Sequence, residues 1–202
     1  MAELETQRLL LRRWHPDDRA PFAVLNADPE VMRYFPTPLT RQQSDDLADR
    51  VDAHIEREGW GLWALQERAT SRFLGFTGLA RPTFEASFTP AVEIGWRLSP
   101  AAWGFGFATE AARAAAAFAF DELGLDELVS FTTEHNTRSR AVMHRLGMRH
   151  DAAHDFDHPN VREAALRRHV LYRLSRAPAP TAATPDAETA GLNSSQHGRT
   201  FQ

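Results

Sequence analysis

Leu9, Leu10 and Leu11 lie between Arg8 and Arg12, a short apolar run that predicts a first strand. His15-Pro16-Asp17-Asp18 predicts a helix start, because proline fits a first turn and acids suit its positive end. A second short helical stretch is expected from Pro29 to Tyr34. Leu47, Val51 and Ile55 recur every four residues and give one apolar face to a longer helix. Thr40 can cap that helix, which runs toward Glu58 and ends at Gly59. Three strand-like segments follow, Gly61 to Gln66, Phe73 to Leu79 and Val92 to Leu98, separated by turn-forming stretches such as Ala69-Thr70-Ser71 and Arg81-Pro82. They predict an antiparallel meander. Beyond it the pattern predicts an alanine-rich helix from Ala108 to Glu122, a strand from Leu128 to Thr132, a helix from Thr137 to Leu146 and a closing strand from Arg168 to Leu174. The order is that of a mixed α/β fold with no internal repeat.

The chain has 202 residues and is 43% hydrophobic, enough for one sizeable core. Residues 1–175 are expected to form that single domain. Residues 176–202 open on Ala177-Pro178-Ala179-Pro180 and hold almost no large apolar side chains, so a disordered tail is expected there, with Leu192 and Phe201 alone available to dock. The sequence contains no cysteine, which excludes disulfides, thiolate metal ligands and a cysteine-bound acyl intermediate. A net charge of −4 offers no basic footprint for nucleic acid. The longest apolar stretch, Ala114 to Phe120, is far shorter than the roughly 20 residues of a membrane span. The first eight residues mix both charge signs and do not resemble a signal peptide, so a cytoplasmic protein is expected.

The segment from Leu98 through Trp103-Gly104-Phe105-Gly106-Phe107-Ala108-Thr109 to Glu110 ends a strand, passes a glycine-containing loop and starts a long helix. A helix start leaves N–H groups free at its positive end, and glycines let a phosphate approach the backbone. Taken alone, the segment reads either as a pyrophosphate cradle or as a plain strand-to-helix turn. It lacks the Lys-Ser/Thr pair of a nucleoside triphosphate loop and sits too late in the chain for a dinucleotide fingerprint. His150, His154 and His158 recur every four residues, the spacing of a helical metal site. Pro159 and the acids Asp151, Asp155 and Asp157 favour a loop instead, and no metal is expected.

Taken in order, several segments resemble the GCN5-related N-acetyltransferase (GNAT) family, in the branch that holds ribosomal-protein N-terminal acetyltransferases. Thr6 to Arg12 is similar to its opening strand, Val92 to Leu98 to its central strand and Trp103 to Ala111 to its coenzyme A pyrophosphate loop. Asn136 to Arg140 with Arg145 to Met148 is similar to its last catalytic-side helix, and Phe156 to Pro159 and Leu166 to Arg173 to its closing section. The resemblance covers roughly Leu4 to Ser175. It implies a central mixed, mostly antiparallel sheet flanked by helices. It also implies acetyl-coenzyme A as cosubstrate, no metal, and direct sequential transfer to a primary amine on a small molecule or a protein N-terminus. A monomer and a homodimer are both compatible with it. The implied cosubstrate-binding residues are Trp96, Arg97, Leu98, Trp103, Gly104, Phe105, Gly106, Phe107, Ala108, Thr109 and Asn136. Trp103 stands where much of the wider family has Arg or Gln. Met143 stands where many members have a tyrosine acid, and a thioether cannot donate a proton. That substitution leaves a second reading open, a non-catalytic acyl-coenzyme A sensor.

Acetyl transfer needs a neutral amine nitrogen, and a lysine-like amine titrates near roughly 10.4 against about 7.7–8.0 for an α-amine. Strand alternation places Glu93, Gly95 and Arg97 on one face of the central strand. That singles out Glu93, which the resemblance implies as general base and which otherwise reads as a solvated surface acid. Ser139 is the implied partner of the departing thiolate. Asn136, one turn earlier, is either a contact to the pantetheine amides or a helix N-cap. Trp14, Phe35, Trp60 and Trp63 are candidates for core or acceptor cleft, and His158 is expected near the acceptor or exposed. Phe84-Glu85-Ala86-Ser87-Phe88 places two phenylalanines in a polar turn, and a mobile, exposed substrate-side loop is expected there.

Overall fold

The computed structural model describes residues 3–177, and the expected tail beyond Ala177, with Leu192 and Phe201, lies outside the described residues. Strand β2 (Leu9–Arg12) buries Leu9 and Leu11, and β1 (Leu4–Glu5) pairs with it. A 3-10 turn at Pro16–Asp18 leads into α1 (Arg19–Ala27). The expected helix from Pro29 to Tyr34 is only a 3-10 turn at Met32–Tyr34. The Asp28 carboxylate accepts the Glu30 N–H at 2.8 Å, and this local bond competes with a helical continuation. Helix α2 (Arg41–Glu58) is held at its start by reciprocal bonds between Thr40 and Gln43, and Gly59 ends it.

Strands β3 (Leu62–Glu67), β4 (Phe73–Ala80) and β5 (Glu93–Leu98) form the expected meander. Helix α3 (Phe107–Asp121) lies on one face of it, and the small side chains Ala111, Ala112, Ala115 and Ala119 let the helix approach the sheet closely. Trp63 fills the contact, with its ring centroid 5.5 Å from Phe118. The remaining elements are β6 (Glu127–Thr133), α4 (Thr137–Arg145), β7 (Arg149–His150), β8 (Phe156–Asp157), α5 (Ala164–Arg167) and β9 (Arg168–Ser175). The sheet order is β1-β2-β3-β4-β5-β6-β9-β7, with β8 also pairing β9.

All neighbouring strands run antiparallel except β5 and β6, which are parallel and meet at one register position, Glu93 with Val129. The two halves of the sheet thus part beyond Glu93, and the fork is the feature that positions the site.

The expected exposed loop needs correction. Phe84 and Phe88 are not an exposed pair. Phe88 is buried, and both pack with Phe131 and Phe156 over Val129 and Leu171 in a second small core. Their partners come from β6, β8 and β9, more than forty residues downstream, so local polarity alone gave the wrong environment. His150, His154 and His158 do not share a helix: they fall on β7, on a 3-10 turn and just past the end of β8. His150 pairs with Asp155 and His154 with Asp151, and no cluster of three metal-ligating side chains occurs among the described residues.

Candidate active site

The fork opens into a cleft of about 900 Å³ lined by β5, β6, the β5–α3 loop, α4 and the α1–α2 connection. Main-chain alternation decides what β5 shows to it. Ser99 N–H donates to Leu74 O at 2.9 Å, and Val129 N–H donates to Val92 O at 2.9 Å. Glu93, Gly95 and Arg97 therefore turn their main-chain groups toward β4, while Ile94, Trp96 and Leu98 turn theirs toward the gap that β6 leaves. The run Trp96-Arg97-Leu98 divides accordingly. Trp96 and the Leu98 N–H offer a free strand edge, the kind that an extended amide chain joins, while Leu98 O is taken by the Trp103 indole. Arg97 is committed to Phe76 on β4, and its side chain goes to the face of Glu93.

Past Leu98 the chain turns through Pro100–Ala102 into the glycine loop. Gly104 and Gly106 adopt φ of 83° and 81°, the left-handed region that glycine enters without penalty. Gly106 is the N-cap of α3, and Glu110 N–H is the first helical donor, to Gly106 O at 3.0 Å. The N–H groups of Gly104, Phe105, Gly106, Phe107, Ala108 and Thr109 find no acceptor among the described residues. Six such amides at the positive end of a fifteen-residue helix fit a diphosphate.

The loop is braced from the start of the chain. Arg8 donates to Phe105 O at 3.0 Å and to the Glu110 carboxylate at 2.7 Å, and it stacks over Phe107 at 4.7 Å. Thr6 Oγ1 donates to the same carboxylate at 2.6 Å. On the other side the Trp103 indole donates to Leu98 O at 2.9 Å, and Arg138 lies over its ring at 4.2 Å. Arg138 also pairs with Glu30 across the cleft.

Glu93 stands where β5 and β6 part, its carboxyl leaning toward Gly95. It lines the cleft, and no group of the described chain donates a hydrogen bond to it. Burial accordingly pushes its carboxyl up to about 8. The same cleft is lined by Phe131, His158 and His169, and burial lowers the two imidazoles below their usual range and so keeps them neutral at neutral pH. Arg97, also on this face, donates to Asn26 Oδ1 at 2.6 Å.

Asn136 is the N-cap of α4: its Oδ1 accepts Ser139 N–H at 3.2 Å, and its Nδ2 donates to Thr132 Oγ1 at 2.9 Å. It also lines the cleft, as does Ser139, whose hydroxyl has no partner among the described residues. Met143 is fully buried in the main core and does not line the cleft. Its thioether is a packing group, so the sensor reading loses the observation that motivated it. Of the aromatic candidates, Trp14, Trp60 and Trp63 are core, while Phe35 is exposed and borders the cleft. Sequence reasoning missed Arg8, Glu110 and Arg145. The last borders both the main cleft and the shallow depression around Gly106 and Thr109, beside the free amides.

Comparisons with known proteins agree with this geometry. Residues 8–149 match the Acetyltransferase (GNAT) domain. The chain is 35% identical over 175 residues to an FsC-acetyl coenzyme A-N(2)-transacetylase of Aspergillus fumigatus, covering 81% of this chain and 74% of that protein. In fold it resembles a GNAT-family acetyltransferase from Bacillus anthracis, with a TM-score of 0.72 and 22% identity over 86% of this chain and 98% of that one. It also resembles a ribosomal L7/L12 alpha-N-protein acetyltransferase in complex with coenzyme A, with a TM-score of 0.68 and 12% identity over 86% of this chain and 98% of that one. With the fork, the free amides and these matches in agreement, the chain belongs to the GNAT family and is an acetyl-coenzyme A-dependent N-acetyltransferase.

Proposed function

We propose that the protein acetylates a primary amine, on a small molecule or a protein N-terminus, by direct transfer with Glu93 as general base and Ser139 assisting thiolate departure. The observation that carries this reading is the position of Glu93: a half-buried carboxyl lining the cleft at the mouth of the fork, on the face away from α3, where burial raises its pKa to about 8. An acceptor nitrogen must lose a proton, and a base poised near the working pH takes it most effectively. The A. fumigatus relative is named for transfer to a nitrogen, which supports an amine acceptor.

The cosubstrate supplies an acyl group already activated as a thioester. The loop amides from Gly104 to Thr109 hold its diphosphate, and the free edge at Trp96 and Leu98 orients its amide chain. The Trp96 N–H, turned into the gap, polarises the reacting carbonyl. Glu93 accepts the proton that the attacking amine gives up, and the Ser139 hydroxyl donates a hydrogen bond to the departing sulfur. With no cysteine in the sequence, no cysteine-bound acyl intermediate can form, which favours direct transfer with both substrates bound together. A cytoplasmic setting is part of this reading, because the cosubstrate is a cytoplasmic metabolite.

Free thiol released from acetyl-coenzyme A, measured across a panel of small amines and short peptides, tests the acceptor class. Amine-dependent release is expected. Release that is independent of every amine would remove the acceptor assignment. Ser139→Ala is expected to lower turnover by about tenfold to a hundredfold, the worth of one hydrogen bond to a charged atom, with coenzyme A affinity kept. Wild-type turnover in that variant would assign the sulfur's proton to water.

A further inference from the structure

Arg97 is held in a way that proton transfer does not require. Its guanidinium is covered by Phe35 at 4.2 Å on one side and lies 5.4 Å from the Phe76 ring. Its Nε is buried without a partner, and no carboxylate of the described chain pairs with it. Its one hydrogen bond goes to Asn26 Oδ1, a neutral acceptor that Ser44 steadies from behind through a 2.8 Å bond. Desolvation brings its pKa down only to about 10, so it stays a cation at neutral pH. Elsewhere the chain treats an enclosed arginine differently: Arg12 meets Asp18 in a two-point pair at 2.7 and 2.9 Å. A desolvated cation without a counter-ion is costly, and the cost falls when an anion arrives.

The other arginines of the cleft have separate tasks. Arg138 is taken by Glu30, and Arg145 stands beside Gly106 and Thr109 on the phosphate side. Arg97 shares its face with Glu93, with only Gly95 between them on that face. The two Cα atoms, four residues apart on one strand, are separated by about 13 Å, room for a short acceptor between them. The geometry points to Arg97 as the anchor of an anionic group on the acceptor, so that preferred acceptors are short amines bearing a carboxylate or a phosphate. The inference rests on the acceptor reading above and narrows it.

The test compares matched acceptors at saturating acetyl-coenzyme A: β-alanine and 4-aminobutyrate against their amides, and phosphoethanolamine against ethanolamine. In the wild-type enzyme kcat/KM is expected to be about tenfold or more higher for the anionic member of at least one pair. The pair that shows it tells carboxylate from phosphate. Arg97→Met is expected to bring the ratio to about one, mainly through the acceptor's KM, with the KM of acetyl-coenzyme A unchanged. Arg97→Lys should keep part of the preference. Equal use of charged and neutral members by the wild-type enzyme would overturn the inference without any variant, while leaving amine acetylation standing. Retention of the preference in Arg97→Met would overturn it too. Transfer to none of the six, with peptides still acetylated in the panel above, would overturn the inference alone; transfer to no peptide either would remove the acceptor reading with it.

Discussion

Glu93→Gln is expected to cut turnover by about a hundredfold or more, the usual worth of a positioned acid–base group, while acetyl-coenzyme A binds as before. The side chain keeps its size and its place on β5, so only proton acceptance is lost. The pH profile should change with it. In the wild-type enzyme kcat/KM should rise with pH through about 8, as the desolvated carboxyl ionises. In the variant only the amine's own titration should remain. An acceptor with a lysine-like amine, near roughly 10.4, separates the two because its own ionisation lies well above that of Glu93. A variant with full turnover and an unchanged profile would remove Glu93 from the mechanism.

The same carboxyl ties stability to pH in a definite direction. Its folded pKa lies above the 4.5 of an exposed glutamate, so between there and about 8 the folded state holds a proton that the unfolded chain has released. The stability linked to neutral Glu93 is therefore complete below the lower value and is lost as pH rises through the upper one. Glutamine cannot ionise, so the variant should melt at a higher temperature than the wild-type protein at pH 9. The comparison separates loss of the base from loss of the fold.

Much of this site was legible because its chemistry lies in short local patterns. Alternation along Val92 to Leu98 put Glu93 on its face, and two glycines before an alanine-rich run marked the loop and the start of α3. What escaped depends on pairings between distant segments. The opening of the fork is invisible to periodicity, because β5 and β6 each carry an ordinary strand pattern and only their single shared register position reveals the parting. Asn26 reads as a polar residue near the end of α1, yet it is fully buried between Ser44 and Arg97. Phe84 and Phe88 read as exposed until β6 and β8 supply their partners. Arg8 and Glu110 stand 102 residues apart, and no local signal joins them, although each falls within a segment whose family resemblance was visible.

Gly106→Val is expected to weaken coenzyme A binding by about a hundredfold, the worth of one or two charge-assisted hydrogen bonds, as read by calorimetric titration. Crowding is not the reason, since a Cβ at this position meets nothing nearer than Arg8 Nη2 at 3.7 Å. The reason is the backbone: at φ of 81° a β-branched residue carries strain of order 1–3 kcal/mol, and relaxing it turns the amides of Phe107 and Ala108 out of their common direction. Gly106→Asn separates conformation from mere substitution, because asparagine tolerates the left-handed region and should keep most of the affinity. Glu93 and Arg97 lie on β5, before the loop, so the valine variant should still fold and should lose cosubstrate affinity ahead of acceptor selectivity. Tight coenzyme A binding by the valine variant would mean that the six free amides do not hold the diphosphate, and the cleft would need another source of phosphate affinity, such as Arg145 beside the same depression.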